Sequence, residues 1–204
     1  MLTTLPNILT LSRIAAIPLV IASFYLPGLW APWVACGLFA AAGVTDYLDG
    51  HFARLWKQQS ALGKFLDPIA DKLLVSETLL MLVAFDRLSG AALFPTLVIL
   101  GREILVSGLR EYLAGLRVGL PVSRLAKWKT AIQMVAIGTL LVGDAGPGWL
   151  PVVALGEMML WLAALLTLVT GYDYLRAGLK HMYVEDTPQA GSPVDTPKAL
   201  GEPG

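Results

Sequence analysis

The sequence predicts an all-α, polytopic membrane protein with six transmembrane helices. Its 204 residues are 56% hydrophobic, and the mean hydropathy of +0.66 lies well above that of ordinary globular domains. Six segments are apolar over roughly the 20 residues that a spanning helix needs. Basic residues are concentrated in alternate connections between these segments. These observations exclude an ordinary water-soluble domain, and the formal net charge of zero gives no reason to expect a nucleic-acid partner.

The six apolar segments follow one another along residues 1–183, which we predict to be a single membrane domain. The first segment lacks a basic start and a small-residue cleavage site, so we expect a retained helix rather than a signal peptide. Boundaries predicted from sequence are accurate to a few residues. The predicted spans are 8–26, 32–52, 68–85, 91–113, 125–142 and 150–175.

Loop charge predicts the orientation in the membrane. Segments 54–72 and 117–129 each carry four Lys or Arg residues, whereas the three opposite loops contain only Arg87. Basic loops remain on the cytoplasmic side. We therefore expect both termini to face the cytoplasm. The opposite loops are 27–31, 86–90 and 143–149.

Residues 184–204 differ in composition from the rest of the chain. They are rich in proline, glycine and acidic residues and contain too few apolar side chains to form a core. We predict a disordered cytoplasmic tail.

Four aspartates lie beside or within the apolar segments, at positions Asp46, Asp49, Asp67 and Asp71. An unpaired carboxylate at membrane depth is energetically costly, so such residues are rare and usually functional. Asp46 and Asp49 share one helix face, and Asp67 and Asp71 share one face of the next helix. Two antiparallel helices would bring all four together, and divalent cations with oxygen ligands are their natural partners.

The aspartates belong to the run DYLDGHFARLWKQQSALGKFLDPIADK. This run resembles the DxxDGxxAR, eight residues, GxxxDxxxD signature of the CDP-alcohol phosphotransferases, with every defining position present. The resemblance implies two Mg²⁺ or Mn²⁺ ions, with Asp46 and Asp67 bridging both metals. It implies that Asp49 completes one metal site and Asp71 the other, and that Asp71 is the general base.

The same resemblance implies a site for the CDP-linked lipid. Gly50, Arg54 and Ser60 resemble residues that contact the CDP-lipid, although Ser60 lies outside the defining motif. Gly50 and Ala53 resemble positions that accommodate the cytidine diphosphate. Small residues on a helix face can also serve only to let helices pack closely, so both explanations are open for this pair.

The segment PNILTLSR places Asn7, Thr10 and Arg13 before the first long apolar run. Asn7 and Thr10 are candidates for the CDP-lipid site. The alternative is that they cap the helix while the aliphatic part of Arg13 lies along the apolar surface and its charge reaches water.

Four basic residues are candidates for binding an anionic acceptor. Arg102 and Arg110 lie within the fourth apolar segment, and Lys127 and Lys129 open the fifth. Guanidinium groups match phosphate oxygens bidentately. The alternatives are that the glutamate after each arginine merely neutralises it, and that the lysines are ordinary cytoplasmic anchors.

Three further blocks, PNILTLSRIAAIP, GREILVSGLRE and KWKTAIQM, are similar to blocks of bacterial phosphatidylglycerophosphate synthases. One departure is Ala126, where those enzymes usually have glycine. The resemblance implies transfer of the phosphatidyl group of CDP-diacylglycerol to glycerol-3-phosphate with release of CMP. It also implies a homodimer embedded in membrane lipids.

Two other functions remain open from the residues. Within the family, the acceptor could instead be inositol phosphate, serine or phosphatidylglycerol. From a different class, the chain could be a non-catalytic divalent-cation transporter. A transporter is expected to hold its carboxylates near the bilayer midplane, whereas these aspartates lie near a charged loop.

Overall fold

The computed structural model describes residues 5–56, 61–115 and 124–185, and these residues form six long α-helices. No strand occurs within these ranges, so the predicted all-α class is confirmed. Short 3₁₀ turns, Gly90–Ala92 and Gly143–Ala145, precede α4 and follow α5. The helices are α1 (Leu5–Ser23), α2 (Ala31–Trp56), α3 (Ala61–Ala84), α4 (Leu93–Gly115), α5 (Arg124–Val142) and α6 (Val152–Glu185).

Each predicted span corresponds to one helix, and the helix ends differ most around α2 and α3. α2 continues to Trp56 and α3 begins at Ala61, so both edges of the expected polar turn at 55–62 are helical, and residues 57–60 lie outside the described residues. Pro68 was expected to open a helix but lies inside α3. Proline is tolerated inside a membrane helix where other groups satisfy the carbonyl that it frees. α6 ends at Glu185, and the rest of the predicted tail lies outside the described residues.

Three helices in the described ranges are long and apolar enough to cross a bilayer. They comprise Gly90–Gly115, Leu125–Ala145 and Val152–Arg176, and α1 contributes a shorter apolar stretch, Leu11–Ser23. The chain is therefore a membrane protein by composition and helix length. The count of six spans remains a prediction.

The helices form two groups that meet through α2 and α5. α6 packs along α5 and α4, while α1 packs along α2 and α3. A single apolar core fills the space between them, and buried hydroxyls within it donate to the helix carbonyl one turn earlier, as Thr78 does to Leu74. Large, almost fully buried members of this core are Phe39, Leu79, Leu82, Ile99, Leu140 and Leu160.

The connections after α1, α3 and α5 gather at one end of the bundle, which we call the distal end. Phe24 and Phe85 are in aromatic contact, with ring centroids 5.3 Å apart. Arg87 Nη1 donates to the carbonyl oxygen of Leu141 at 2.9 Å, and its guanidinium lies 5.3 Å from the Phe24 ring centroid. These contacts tie the first two connections to each other and to the last turn of α5. The connections are residues 24–30, 85–92 and 143–151.

Candidate active site

A polar cavity of about 870 Å³ lies in the half of the bundle away from the distal end. Residues from all six helices line it. Six basic and four acidic side chains face it among the described residues. They are Arg13, Lys72, Arg102, Arg110, Lys127 and Lys129, with Asp46, Asp71, Glu103 and Glu111.

The acidic side of the cavity is formed by α2 and α3. Asp46 on α2 and Asp71 on α3 both line it, and the two carboxylates lie close enough to interact electrostatically. The Asp46 side chain is 45% exposed, so its oxygens are accessible from the cavity. The structure therefore brings together these two of the four predicted aspartates.

Arg13 on α1 is the partner of Asp46. Its Nη1 lies 2.6 Å from Asp46 Oδ1, and the Arg13 side chain is completely buried. The alternative that the charge of Arg13 reaches water is therefore wrong. The buried guanidinium instead compensates a carboxylate of the cavity, as a charge at this depth requires.

The other two aspartates are placed only by their backbones. Asp49 lies on α2, one turn after Asp46, and Asp67 lies on α3, one turn before Asp71. Their side chains lie outside the described part of the structure. Among the described side chains, no group of three or more potential metal ligands gathers. The predicted four-carboxylate cluster therefore remains a prediction.

The candidates for the CDP-lipid site are likewise located only by the helices on which their backbones lie. Asn7 and Thr10 lie on α1, and Gly50, Ala53 and Arg54 lie on α2 after Asp46. Ser60 lies outside the described residues.

The donor set fits a divalent cation. Asp46 and Asp71 supply carboxylate oxygens from two neighbouring helices, both facing a polar cavity. Oxygen ligands of this kind suit Mg²⁺ and Mn²⁺. The helical phase of Asp49 and Asp67, one turn from each, is compatible with a shared site.

The basic side of the cavity is formed by α4, α5 and α6. Glu103 accepts from both Arg102 and Lys129, and Arg102 Nη1 lies 3.4 Å from Glu103 Oε1. Arg102 Nη2 also donates to Thr170 Oγ1 at 3.2 Å, while its buried Nε has no partner within the described ranges. The alternative that Glu103 neutralises Arg102 is thus confirmed only in part, because two cations share this one carboxylate.

Arg110 and Lys127 are exposed within the cavity. No ion pair joins Arg110 to Glu111 in the part of the chain that the structure describes. The alternative that Glu111 neutralises Arg110 is therefore not supported. Instead, the Arg110 guanidinium lies over the ring of Tyr174 on α6, 5.9 Å from its centroid.

Sequence reasoning missed two polar cavity residues that link helices, Lys72 and Tyr174. Lys72, beside Asp71, donates to Ser107 and so joins α3 to α4. Tyr174 lies near the cavity end of a long apolar helix, where an aromatic residue usually indicates only a membrane interface. No local pattern distinguishes this tyrosine, because its partners are on another helix.

An apolar groove of about 720 Å³ adjoins the cavity. It runs between α2 and α5, and the two spaces share Gly43 and Met134 in their walls. A Cβ at Gly43 would lie 2.6 Å from Met134 Cε, so glycine permits the close approach at this junction. The groove is lined mainly by Trp33, Cys36, Phe39, Val44, Val135, Gly138 and Val142.

Comparisons with known proteins find relatives that match most of this chain. The family profile described as CDP-alcohol phosphatidyltransferase matches residues 3–169. A Rickettsia bellii protein named CDP-diacylglycerol–glycerol-3-phosphate 3-phosphatidyltransferase is 47% identical over 87% of this chain and 96% of its own length. Proteins of the same name from Pseudomonas fluorescens and Cereibacter sphaeroides are 42% and 39% identical, over 87% and 88% of this chain and 91% and 97% of their own lengths.

Proposed function

This chain belongs to the CDP-alcohol phosphatidyltransferase family, and we propose that it transfers the phosphatidyl group of CDP-diacylglycerol to glycerol-3-phosphate. The products are phosphatidylglycerophosphate, a phospholipid precursor, and CMP. One observation carries the proposal: a single cavity holds two aspartates from α2 and α3 on one side and four cations from α4 and α5 on the other, and it continues into an apolar groove. A lipid-linked diphosphate and an anionic acceptor require these three environments together.

The reaction is a displacement at the lipid-linked phosphorus. A hydroxyl oxygen of glycerol-3-phosphate forms a new P–O bond, and the P–O bond to CMP breaks. The hydroxyl proton passes to a carboxylate, for which we propose Asp71. A positioned base of this kind contributes ~10²–10⁴ in rate. The partial burial of Asp71 at the cavity wall supports this role, because it limits the base's exchange with bulk water.

We propose that two Mg²⁺ or Mn²⁺ ions bind through the four aspartates. Asp46, Asp49, Asp67 and Asp71 would hold these ions through their carboxylate oxygens. Bound cations would neutralise charge on the diphosphate and stabilise the departing phosphate. Cation binding at Asp46 also gives a reason for its accessibility despite the ion pair with Arg13.

The acceptor phosphate is proposed to bind on the basic side of the cavity. Arg110 and Lys127 are exposed there, and Arg102 and Lys129 lie deeper against Glu103. A phosphate monoester carries up to two negative charges, so two exposed cations match it. The deeper pair would add positive potential and keep the exposed pair in place.

The lipid substrate is proposed to use both spaces. Its diphosphate would lie in the cavity, and an acyl chain would enter the apolar groove past Gly43 and Met134. From Gly43 to Trp33, the groove follows α2 for about 15 Å. The proposed contacts of the CDP moiety are Asn7, Thr10, Gly50, Ala53, Arg54 and Ser60.

We propose that all six helices span a bacterial cytoplasmic membrane, with the cavity and both termini on the cytoplasmic side. The distribution of basic residues supports this orientation. The distal connections contain one basic residue, Arg87, and its guanidinium is bound to a backbone carbonyl. We also propose a homodimer, as the family resemblance implies; crosslinking in native membranes tests it.

The test is a transfer assay with the purified full chain in proteoliposomes containing CDP-diacylglycerol. CMP release is measured with glycerol-3-phosphate, inositol phosphate, serine and phosphatidylglycerol in parallel. Of the four acceptors, we expect only glycerol-3-phosphate to support turnover. We expect a chelator to abolish this activity and Mg²⁺ or Mn²⁺ to restore it.

Each other outcome identifies a different error. Preference for another acceptor would change the substrate while leaving the transferase class. Activity in a rigorously metal-free preparation would contradict the metal sites. Cation flux into the vesicles without CMP release from any acceptor would favour a transporter.

A further inference from the structure

We propose that Tyr174 is a positioning residue for the acceptor site, and that its ring holds the guanidinium groups of Arg102 and Arg110 in place. The proposal rests on the function proposed above. It adds a residue on α6 to a binding site whose cations come from α4 and α5.

The ring of Tyr174 contacts both arginines. Tyr174 is only 7% exposed and lines the cavity. The Cζ atom of Arg102 lies 5.6 Å from the ring centroid, and that of Arg110 lies 5.9 Å from it. The two arginines are eight residues apart on α4, about 12 Å along the helix axis. One ring on the neighbouring helix therefore serves as the common support for two side chains that start two turns apart.

This contact suits an anion-binding arginine. A guanidinium over an aromatic ring is attracted by the negative potential of the ring face, an interaction that strengthens away from water. A guanidinium that stacks on a ring through its planar face keeps the N–H groups at its edge for oxygen acceptors. An acidic partner for Arg110 would hold it equally well but would oppose the binding of phosphate. Tyr174 orders the cation without neutralising it.

The surrounding surface of α6 is shaped to receive Arg102. Thr170, one turn before Tyr174, accepts from Arg102 Nη2 at 3.2 Å. A Cβ at Gly171 would lie 3.0 Å from Arg102 Cγ, so the absence of a side chain there lets Arg102 lie against the helix. These contacts fix the aliphatic part and one donor of Arg102, and Tyr174 fixes its guanidinium.

The aromatic ring, rather than the hydroxyl group, carries the proposed role. Within the described ranges, the Tyr174 hydroxyl makes no hydrogen bond to another protein group. Phenylalanine should therefore replace Tyr174 with little loss. An aliphatic side chain of similar bulk should not, because it has no π face.

The experiment measures steady-state kinetics of the full chain in proteoliposomes. Tyr174→Leu should raise the KM for glycerol-3-phosphate about tenfold, as expected for loss of two cation–π contacts. The kcat and the KM for CDP-diacylglycerol should change less than twofold, about the scatter between preparations, and Tyr174→Phe should behave as wild type. Tyr172→Leu is the matched control, because Tyr172 is 64% exposed and does not line the cavity.

A double-mutant cycle separates positioning from general packing. If Tyr174 acts through Arg110, Tyr174→Leu should raise the KM for glycerol-3-phosphate less in an Arg110→Ala background than in wild type. Equal effects in both backgrounds would remove Arg110 from the proposal. An unchanged KM in Tyr174→Leu would overturn the proposal entirely.

Folding and function have separate readouts. Thermal unfolding of each variant is measured, and Tyr174→Met serves as a second aliphatic variant. If both aliphatic variants fail to fold while Tyr174→Phe folds, the ring supports the fold rather than the acceptor site, and the proposal is wrong. A wild-type chain without glycerol-3-phosphate-dependent CMP release would instead refute the proposed function.

Discussion

The two ends of the bundle use arginine in opposite ways. At the distal end, Arg87 is half-buried, donates to the Leu141 carbonyl and lies over Phe24. At the cavity end, Arg110 also lies over an aromatic ring, that of Tyr174, but its side chain is exposed. Arg87 follows the end of α3 and Arg110 lies within α4. Both make a cation–π contact. They differ in whether the guanidinium also donates a hydrogen bond to another protein group, as Arg87 does.

The difference shows how one side chain type can serve structure or binding. The donor of Arg87 satisfies a carbonyl where an α-helix ends, a position at which orphan acceptors require a partner. Arg110 is held by the ring of Tyr174, and this contact does not consume the N–H groups at the edge of the guanidinium. Arg110 therefore retains the donors that a phosphate needs. Arg87 thus stabilises the packing of the distal end, whereas the guanidinium of Arg110 remains accessible in the cavity.

The strongest test of the cavity end is Asp71→Asn. This substitution keeps the size of the side chain but removes the proposed base, so we expect kcat to fall by ~10²–10⁴. Its proposed share in metal binding would add to the loss. The measurement is CMP release at saturating substrates, with CDP-diacylglycerol binding measured separately. Binding should survive better than in Asp46→Asn, and near-normal turnover would reject the assignment.

Arg110→Ala tests the binding role directly. We expect the KM for glycerol-3-phosphate to rise roughly ten- to a hundredfold, because a hydrogen bond to a charged group contributes ~1.5–3 kcal/mol. The KM for CDP-diacylglycerol should change little. A parallel rise in both constants would indicate that Arg110 serves the diphosphate instead.

Arg87→Met is the matched substitution at the distal end. It keeps the aliphatic bulk but leaves the Leu141 carbonyl without its donor, so we expect a cost of ~1–3 kcal/mol in folding free energy. For a chain of this length, that cost lowers Tm by roughly 2–12 °C. Both KM values should remain at wild-type levels. If Arg87→Met changes either KM but leaves Tm unchanged, Arg87 serves binding rather than structure, and the contrast between the two arginines is wrong.

The smallest effect is expected from deleting residues 187–204. Their composition argues against a packed structure, so membrane insertion, Tm and turnover should stay within experimental scatter of wild type. Loss of activity in the truncated chain would indicate that the tail contributes to one of the two ends.

Hydropathy was sufficient to predict the six helices. Each predicted apolar segment overlaps one of them, since spanning-length apolar runs have few alternatives to a helix. The ends were less predictable where helices continue beyond the apolar stretch, as α2 does to Trp56 and α6 does to Glu185. A helix that leaves the apolar region continues with polar residues, and hydropathy then no longer marks its end.

The candidate site was predictable where function constrains local spacing. Asp46 and Asp71 could be identified because their helical phase and chemistry are both visible along the chain. The Arg13–Asp46 pair and the contacts of Tyr174 depend on how α1 packs on α2 and α6 on α4. The alternative that the charge of Arg13 reaches water was therefore open from the sequence, because a single sequence does not indicate which distant carboxylate lies beside it.

The junction at Gly43 and Met134 has a consequence for how substrate supply should be measured. A cavity that continues into a groove bounded by exposed Val44 and Val135 would let the proposed lipid substrate diffuse sideways into the site without leaving the bilayer. For the proposed reaction, the relevant quantity is then the mole fraction of CDP-diacylglycerol in the membrane plane. Diluting it with inert phospholipid should slow turnover even when the total amount per volume is held constant.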